Sequence, residues 1–126
     1  MKKIINTEQA PAAIGAYSQA VVAGNTVYIS GQIPLDPQSM EVVSENFAEQ
    51  AQQVFKNLAA VAAAAGSSLN DAVKLTCYLT NLDDFAELNT IMAEHVAEPY
   101  PARAAVQVAA LPKQVQVEID AVLYLG

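Results

Sequence analysis

The sequence predicts an α+β fold, a two-layer sandwich in which two helices cover one face of a single mixed β-sheet. Three observations lead there. Short apolar runs with a period of two recur at 21–33, 73–80, 104–109 and 115–125. Two intervening stretches, 44–66 and 81–99, carry apolar residues at steps of three and four instead. The resulting order is strand, strand, helix, strand, helix, strand, strand, and two amphipathic helices suffice to cover one face of such a sheet.

The first two strands lie in VVAGNTVYISGQI (21–33), where Gly24-Asn25 between apolar runs signals a hairpin. In the second run Val27 and Ile29 face one way; Tyr28, Ser30 and Gln32 face the other. Pro34 and Pro37 end the strand in a turn, PLDPQS. Ser44 is the expected N-cap of the first helix, with Glu45 and Glu49 suited to the positive end of its dipole. Phe47, Ala51, Val54, Phe55, Leu58, Val61, Ala62 and Ala65 form its buried stripe, and Gly66 closes it.

VKLTCYLT (73–80) alternates: Val73, Leu75, Cys77 and Leu79 belong to one face and Lys74, Thr76, Tyr78 and Thr80 to the other. Asn81 or Asp83 caps a second helix through Phe85, Leu88, Met92 and Val96, which Glu98-Pro99 ends. The last two strands flank Leu111-Pro112. Tyr28, Ser30, Lys74, Thr76, Tyr78, Gln116 and Glu118 fall on the sheet face that the helices leave open. That face is too polar for a core and too regular for accident, and we expect it to line a cavity between subunits.

The chain has 126 residues, expected to form one domain over 1–126, with 53% hydrophobic and only 15% charged residues. So few charges on so small a body favour an oligomer that hides part of its surface. Thirteen acidic residues against six basic ones, a net charge of −7, oppose binding to a nucleic-acid backbone. One cysteine and one histidine leave neither an intramolecular disulfide nor a Cys/His metal cluster. MKKIINTEQAP lacks the apolar core of a secretory signal and no apolar run suits a membrane span, so a cytoplasmic address is expected, with no membrane partner.

Arg103 is the only arginine. Pro101 restrains the backbone just before it, and a firmly rooted guanidinium offers a carboxylate paired N–H donors that lysine cannot match. An ordinary surface arginine or an intersubunit ion pair fits the same pattern. Glu118 falls on the open sheet face, where partial enclosure would raise its pKa and suit it to act as a general base on water; a solvated strand glutamate is the plainer reading. Asp120 is its nearest competitor. Tyr17, in the loop AIGAYSQA, and Ser30 offer neutral hydrogen bonds, and the small pair Ser30-Gly31 lets a ligand approach the backbone. His95 reads as an exposed cation near a helix carboxyl end, and Cys77 as a buried, inert thiol. No phosphate-binding glycine motif is present.

In combination, APAAIGAYSQA (10–20), YISGQIPLDP (28–37), NLDDFAELN (81–89) and YPARAAVQVAALPKQVQVEIDA (100–121) resemble the RidA family, also called YjgF/YER057c/UK114, across essentially the whole chain. The resemblance implies a chorismate-mutase-like (YjgF-like) fold assembled as a homotrimer with ligand clefts between subunits. It also implies cofactor-independent, metal-free hydrolysis of enamines and imines such as 2-aminoacrylate and 2-iminopropanoate to 2-keto acids and ammonia. Carried over by motif, the catalytic residues are Arg103, Glu118 and Tyr17, and the substrate contacts are Ser30, Gly31, Asn89 and the backbone at Ala105. Here PARAAVQVAALPKQ stands where the common family form is PARSCVEVARLPKD, so Ala105 replaces a cysteine. Ala104, Gln107 and Ala110 replace polar or charged residues there, and Ala16 replaces a proline before Tyr17. These departures bear on substrate range more than on reaction class. Two other functions belong to the same resemblance: a non-catalytic small-carboxylate-binding or regulatory trimer, and RNA cleavage, which the acidic charge opposes.

Overall fold

The computed structural model describes residues 1–126. Six strands form one sheet in the order β1-β2-β3-β6-β4-β5. They are β1 Lys3–Ile5, β2 Ala20–Ala23, β3 Thr26–Gln32, β4 Ala72–Leu79, β5 Ala102–Gln107 and β6 Val117–Tyr124. Only β4 and β5 run parallel, and the crossover between them is α2, Phe85–His95; α1, Phe47–Ala64, connects β3 to β4. The α+β two-layer reading is what the molecule shows. The pattern missed β1, three residues that pair with β2 through Lys3–Val22 to Ile5–Ala20. Only Ile5 of that strand is buried, so it has no alternation to read.

The core fills the space between α1 and the inner sheet face. Phe47, Ala51, Val54, Phe55, Leu58, Val61 and Ala62 of α1 are buried with Val27, Ile29, Leu75, Cys77, Leu79, Val117, Ile119 and Leu123 of the sheet. Each large side chain among them contributes about 1.5–3 kcal/mol on burial. Asn46, not Ser44, caps α1: its side chain accepts from the Glu49 N–H at 3.0 Å. Ser44 lies outside the helix, where its hydroxyl accepts from the Asn46 N–H at 2.9 Å and donates to the Glu49 carboxylate. Gly66, at φ +79°, ends α1 as expected. Its N–H reaches Ala63 O at 2.9 Å while the Ser67 N–H reaches Ala62 O at 2.9 Å, the paired bonds of a Schellman turn.

Two irregularities overturn local readings. Between Ile29 and Gln32 the β3–β6 register shifts, so that Gln32 lies opposite Ile119 on the helix side of the sheet. Gln32 is therefore buried, and not on the open face with Tyr28 and Ser30. A second shift between Ala72 and Lys74 turns Val73 out to solvent, whereas Leu75, Cys77 and Leu79 keep the inward positions expected of them.

Buried amides fasten the loops to this frame. Asn57 of α1 donates to Ile33 O at 3.1 Å and Leu35 O at 3.0 Å, anchoring the chain beyond β3. Gln50 donates to Ser44 O at 2.9 Å and accepts from the Gln116 N–H at 2.8 Å, tying the start of α1 to the approach to β6. Gln19 donates to Thr7 O, Ala10 O and Pro11 O and accepts from the Thr7 N–H. No buried side-chain nitrogen or oxygen lacks a partner. No helix is long and apolar enough to cross a membrane.

Candidate functional site

Arg103 lies within β5, which begins two residues earlier than the apolar pattern suggests. It pairs with Leu75 in the parallel ladder, so it projects from the helix side of the sheet. There α2 holds it. One guanidinium nitrogen donates to Asn89 Oδ1 at 2.8 Å, the same nitrogen lies 3.7 Å from the Met92 sulfur, and the guanidinium carbon sits 4.7 Å from the centroid of the Phe85 ring. Phe85, Asn89 and Met92 share one helical stripe, at i, i+4 and i+7. Asn89 is the one site residue of that stripe named from sequence; Phe85 and Met92 read there only as core positions. With one nitrogen engaged, the rest of the planar donor fork remains for a ligand.

The backbone beside it adds another donor. β5 is an edge strand, and just past its end the Val108 N–H bonds inward to Leu79 O at 2.8 Å. Peptide groups alternate in direction along a strand, so the Ala105 N–H points off the free edge, two residues from Arg103. Two hollows flank the guanidinium. One of about 270 Å³ is lined by Asn89, Met92, Ala93, Tyr100 and Pro101; the other, of about 370 Å³, by Leu82, Phe85 and Ala105.

Glu118 belongs to the opposite face. It pairs with Tyr78 across β4–β6 and projects from the open side of the sheet, where sequence alternation puts it. Its carboxylate packs on the backbone of Gly31, so closely that a Cβ there would overlap a carboxylate oxygen and come within 2.9 Å of Glu118 Cδ. A side chain at position 31 would have to displace the Glu118 carboxylate from this place. Half-burial, and secondarily the neighbouring Asp120 carboxylate, hold the Glu118 pKa above the ordinary glutamate value. Asp120 accepts from the Tyr78 hydroxyl at 2.9 Å, and that bond raises the phenol's own pKa. Alternation put Tyr78 and Asp120 on this face, but the contact between them was not legible.

Ser30 and Tyr17 adjoin the Glu118 side. Ser30 donates its hydroxyl to Ser18 O at 2.6 Å, and its N–H to Gln19 O at 3.0 Å, docking the 6–19 loop on β3. The hydroxyl oxygen retains its capacity to accept. Tyr17 is half exposed, with its hydroxyl 3.4 Å from the Ile14 N–H, and it lines a small hollow with Gly31, Ile33 and Leu35.

One chain therefore holds two groups of site residues. Arg103, Asn89 and the Ala105 N–H lie at the β5 edge on the helix side. Glu118, Gly31, Ser30 and Tyr17 gather around β3 and β6 on the other. β4 separates β5 from β6, a lateral offset of roughly 10 Å in addition to the change of face.

The remaining candidates stand apart from both. Cys77 is fully buried and its thiol is pushed up to about 11 by desolvation, an inert core thiol as expected. His95 corrects its reading as an exposed cation. Its ring stacks on Phe55 at 5.0 Å, its Nε2 is 2.6 Å from Gln52 Oε1, and burial lowers its pKa below the ordinary histidine value.

Residues 7–125 match the family model described as Endoribonuclease L-PSP. A RutC family protein of Pyrococcus horikoshii is 50% identical over 98% of this chain and 98% of its own length. A rat protein named 2-iminobutanoate/2-iminopropanoate deaminase is 47% identical over 100% of this chain and 92% of its own. The crystal structure of RidA from an Antarctic Psychrobacter superposes with a TM-score of 0.94 at 59% identity, covering 97% of this chain and 98% of that one.

Proposed function

This chain belongs to the RidA family, the one described as Endoribonuclease L-PSP, and from that membership we propose that it hydrolyses 2-imino acids and their enamine tautomers to 2-keto acids and ammonia. The observation that carries the reading is the division of the site residues: a clamped guanidinium on one edge and a carboxylate of raised pKa on the opposite face. Neither group reaches the other within one chain. Two copies meeting β5 edge to open face would close a cleft with both, and a homotrimer of such contacts is the assembly proposed.

In that cleft Arg103 and the Ala105 N–H hold the substrate carboxylate, which fixes the adjacent C=N carbon. Glu118 of the second copy takes a proton from water as its oxygen bonds to that carbon, the electron pair of the C=N bond goes to nitrogen, and Glu118 returns the proton to that nitrogen to give the carbinolamine. Glu118 then takes the hydroxyl proton as C=O forms and the C–N bond breaks, and passes it to the departing nitrogen, which leaves as ammonia. Tyr17 and Ser30 orient water or substrate. A nucleophilic side chain is not required, since the imine carbon is already electrophilic.

The test is keto-acid release from 2-aminoacrylate made in situ by a serine dehydratase. Acceleration over the spontaneous rate is expected, with a loss of about 10²-fold or more in Arg103→Ala and in Glu118→Gln. No acceleration with several imino acids would remove the enzymatic reading and leave a carboxylate-binding protein. The family description also carries RNA cleavage, but a net charge of −7 with six basic residues, one of them arginine, opposes the binding of a polyanion.

A further inference from the structure

No hydrogen bond ties residues 12–17, the stretch that carries Tyr17, to the rest of the molecule. Its two bonds are internal: the Tyr17 N–H donates to Gly15 O at 2.9 Å, and the Ile14 N–H approaches the Tyr17 hydroxyl at 3.4 Å. The fixed points lie on either side. Gln19 donates to Pro11 O at 2.8 Å, and Ser30 donates to Ser18 O at 2.6 Å. Between them Ile14 and Tyr17 depend on side-chain packing, around the small hollow that they line with Leu35 and Met40.

Met40 lines that hollow from an unfavourable backbone. Its φ is +61°, in the left-handed region where glycine is at ease and methionine is uncommon. Lys113 and Gln114, the other non-glycine residues with positive φ, are exposed, whereas Met40 is partly buried. The turn that imposes this conformation is closely tied. Asp36 Oδ1 accepts from the Gln38 and Ser39 N–H groups at 2.9 Å, the Met40 N–H donates to Asp36 O at 2.8 Å, and the Asp36 N–H donates to Glu41 O at 2.9 Å. Leu35 then bridges Val42, and Asn57 of α1 holds the Leu35 carbonyl at 3.0 Å. A residue persists in such a conformation only where its surroundings over-determine it. Glycine would suit this backbone; what methionine adds is a long, adaptable side chain.

We propose that Met40 is a positioning residue. Anchored through its turn to α1, it supports the Tyr17 loop from across the hollow and so fixes the Tyr17 hydroxyl relative to Ser30 and Glu118. The inference rests on the deaminase reading only for what Tyr17 does there; the packing does not depend on it.

The experiment compares Met40→Gly, which removes the side chain and suits the φ, with Met40→Leu, which nearly conserves its volume. Backbone order parameters over residues 12–17 are measured by NMR relaxation in the intact protein. They are expected to stay near about 0.85 in the unmodified chain and in Met40→Leu, and to fall below about 0.6 in Met40→Gly, with α1 and β3 unchanged. Turnover of 2-aminoacrylate is measured in parallel. Met40→Gly is expected to lose about tenfold in kcat/KM and Met40→Leu less than about twofold. In a Tyr17→Phe background the same glycine substitution should cost little more, because the group it positions is already gone. Order parameters that do not differ among the three chains, or activity losses that multiply in the double variant, would overturn the role of Met40. Absence of turnover in every chain removes the deaminase reading, and the order parameters then decide the packing alone.

Discussion

At the scale of single residues, the proposed base is tuned by its neighbours. Glu118 is half-buried, and Asp120, two residues along the same strand face, adds a like charge that the Tyr78 hydroxyl holds in place. Both influences favour the protonated carboxyl, so the pKa is raised. A base must be ionised to work, so activity rises with pH through this raised pKa and falls away below it. Asp120→Asn removes the like charge and should move the acid limb of kcat/KM to lower pH, whereas a purely structural role for Asp120 would lower the rate without moving the limb. Sequence alternation sufficed to put Glu118 and Asp120 on one face. Two contacts that define their surroundings were not legible. Gly31 is pressed by Glu118 across a bulge, and the Tyr78–Asp120 bond joins residues 42 apart in the chain. Arg103 was legible as a rooted guanidinium, but its partners on α2 read as core.

At the scale of elements, the periods of α1, β4 and β6 were easy to read because one face of each is buried along most of its length. Boundaries and bulges were harder. Ser44 and Asn46 are both good caps, and the choice between them rests on which side chain meets the Glu49 N–H. The extra residues near Gly31 and Val73 leave the composition of their strands unchanged while reversing which way one side chain points. The least anticipated contribution is that of the buried amides. Asn57 lies in the middle of α1 and satisfies two carbonyls of the chain leaving β3. Asn57→Ala should cost about 1–3 kcal/mol, since Leu35 O would lose its donor where water has little access and Ile33 O would keep only the Leu35 N–H; urea unfolding measures it.

At the scale of the whole molecule, the two groups of site residues make a claim about assembly that can be read from activity. Mix chains carrying Arg103→Ala with chains carrying Glu118→Gln, each inactive alone, and let them re-associate. Clefts formed by two copies recover about a quarter of full activity by random assortment, because one cleft in four receives both intact groups. Sites confined within single chains would recover none. The sheet order that creates this division was only partly legible. Runs of apolar residues reveal that strands exist, but the order in which they pair depends on contacts distant along the chain.

That order carries one more consequence. β6, the last strand in the sequence, lies between β3 and β4, and no ladder joins β3 to β4 directly. While the polypeptide emerges from the ribosome, the amino-terminal hairpin region and the later parallel pair have no seam in common. β6 follows the five other strands in the chain and is the keystone, so the sheet cannot close until β6 itself has been made.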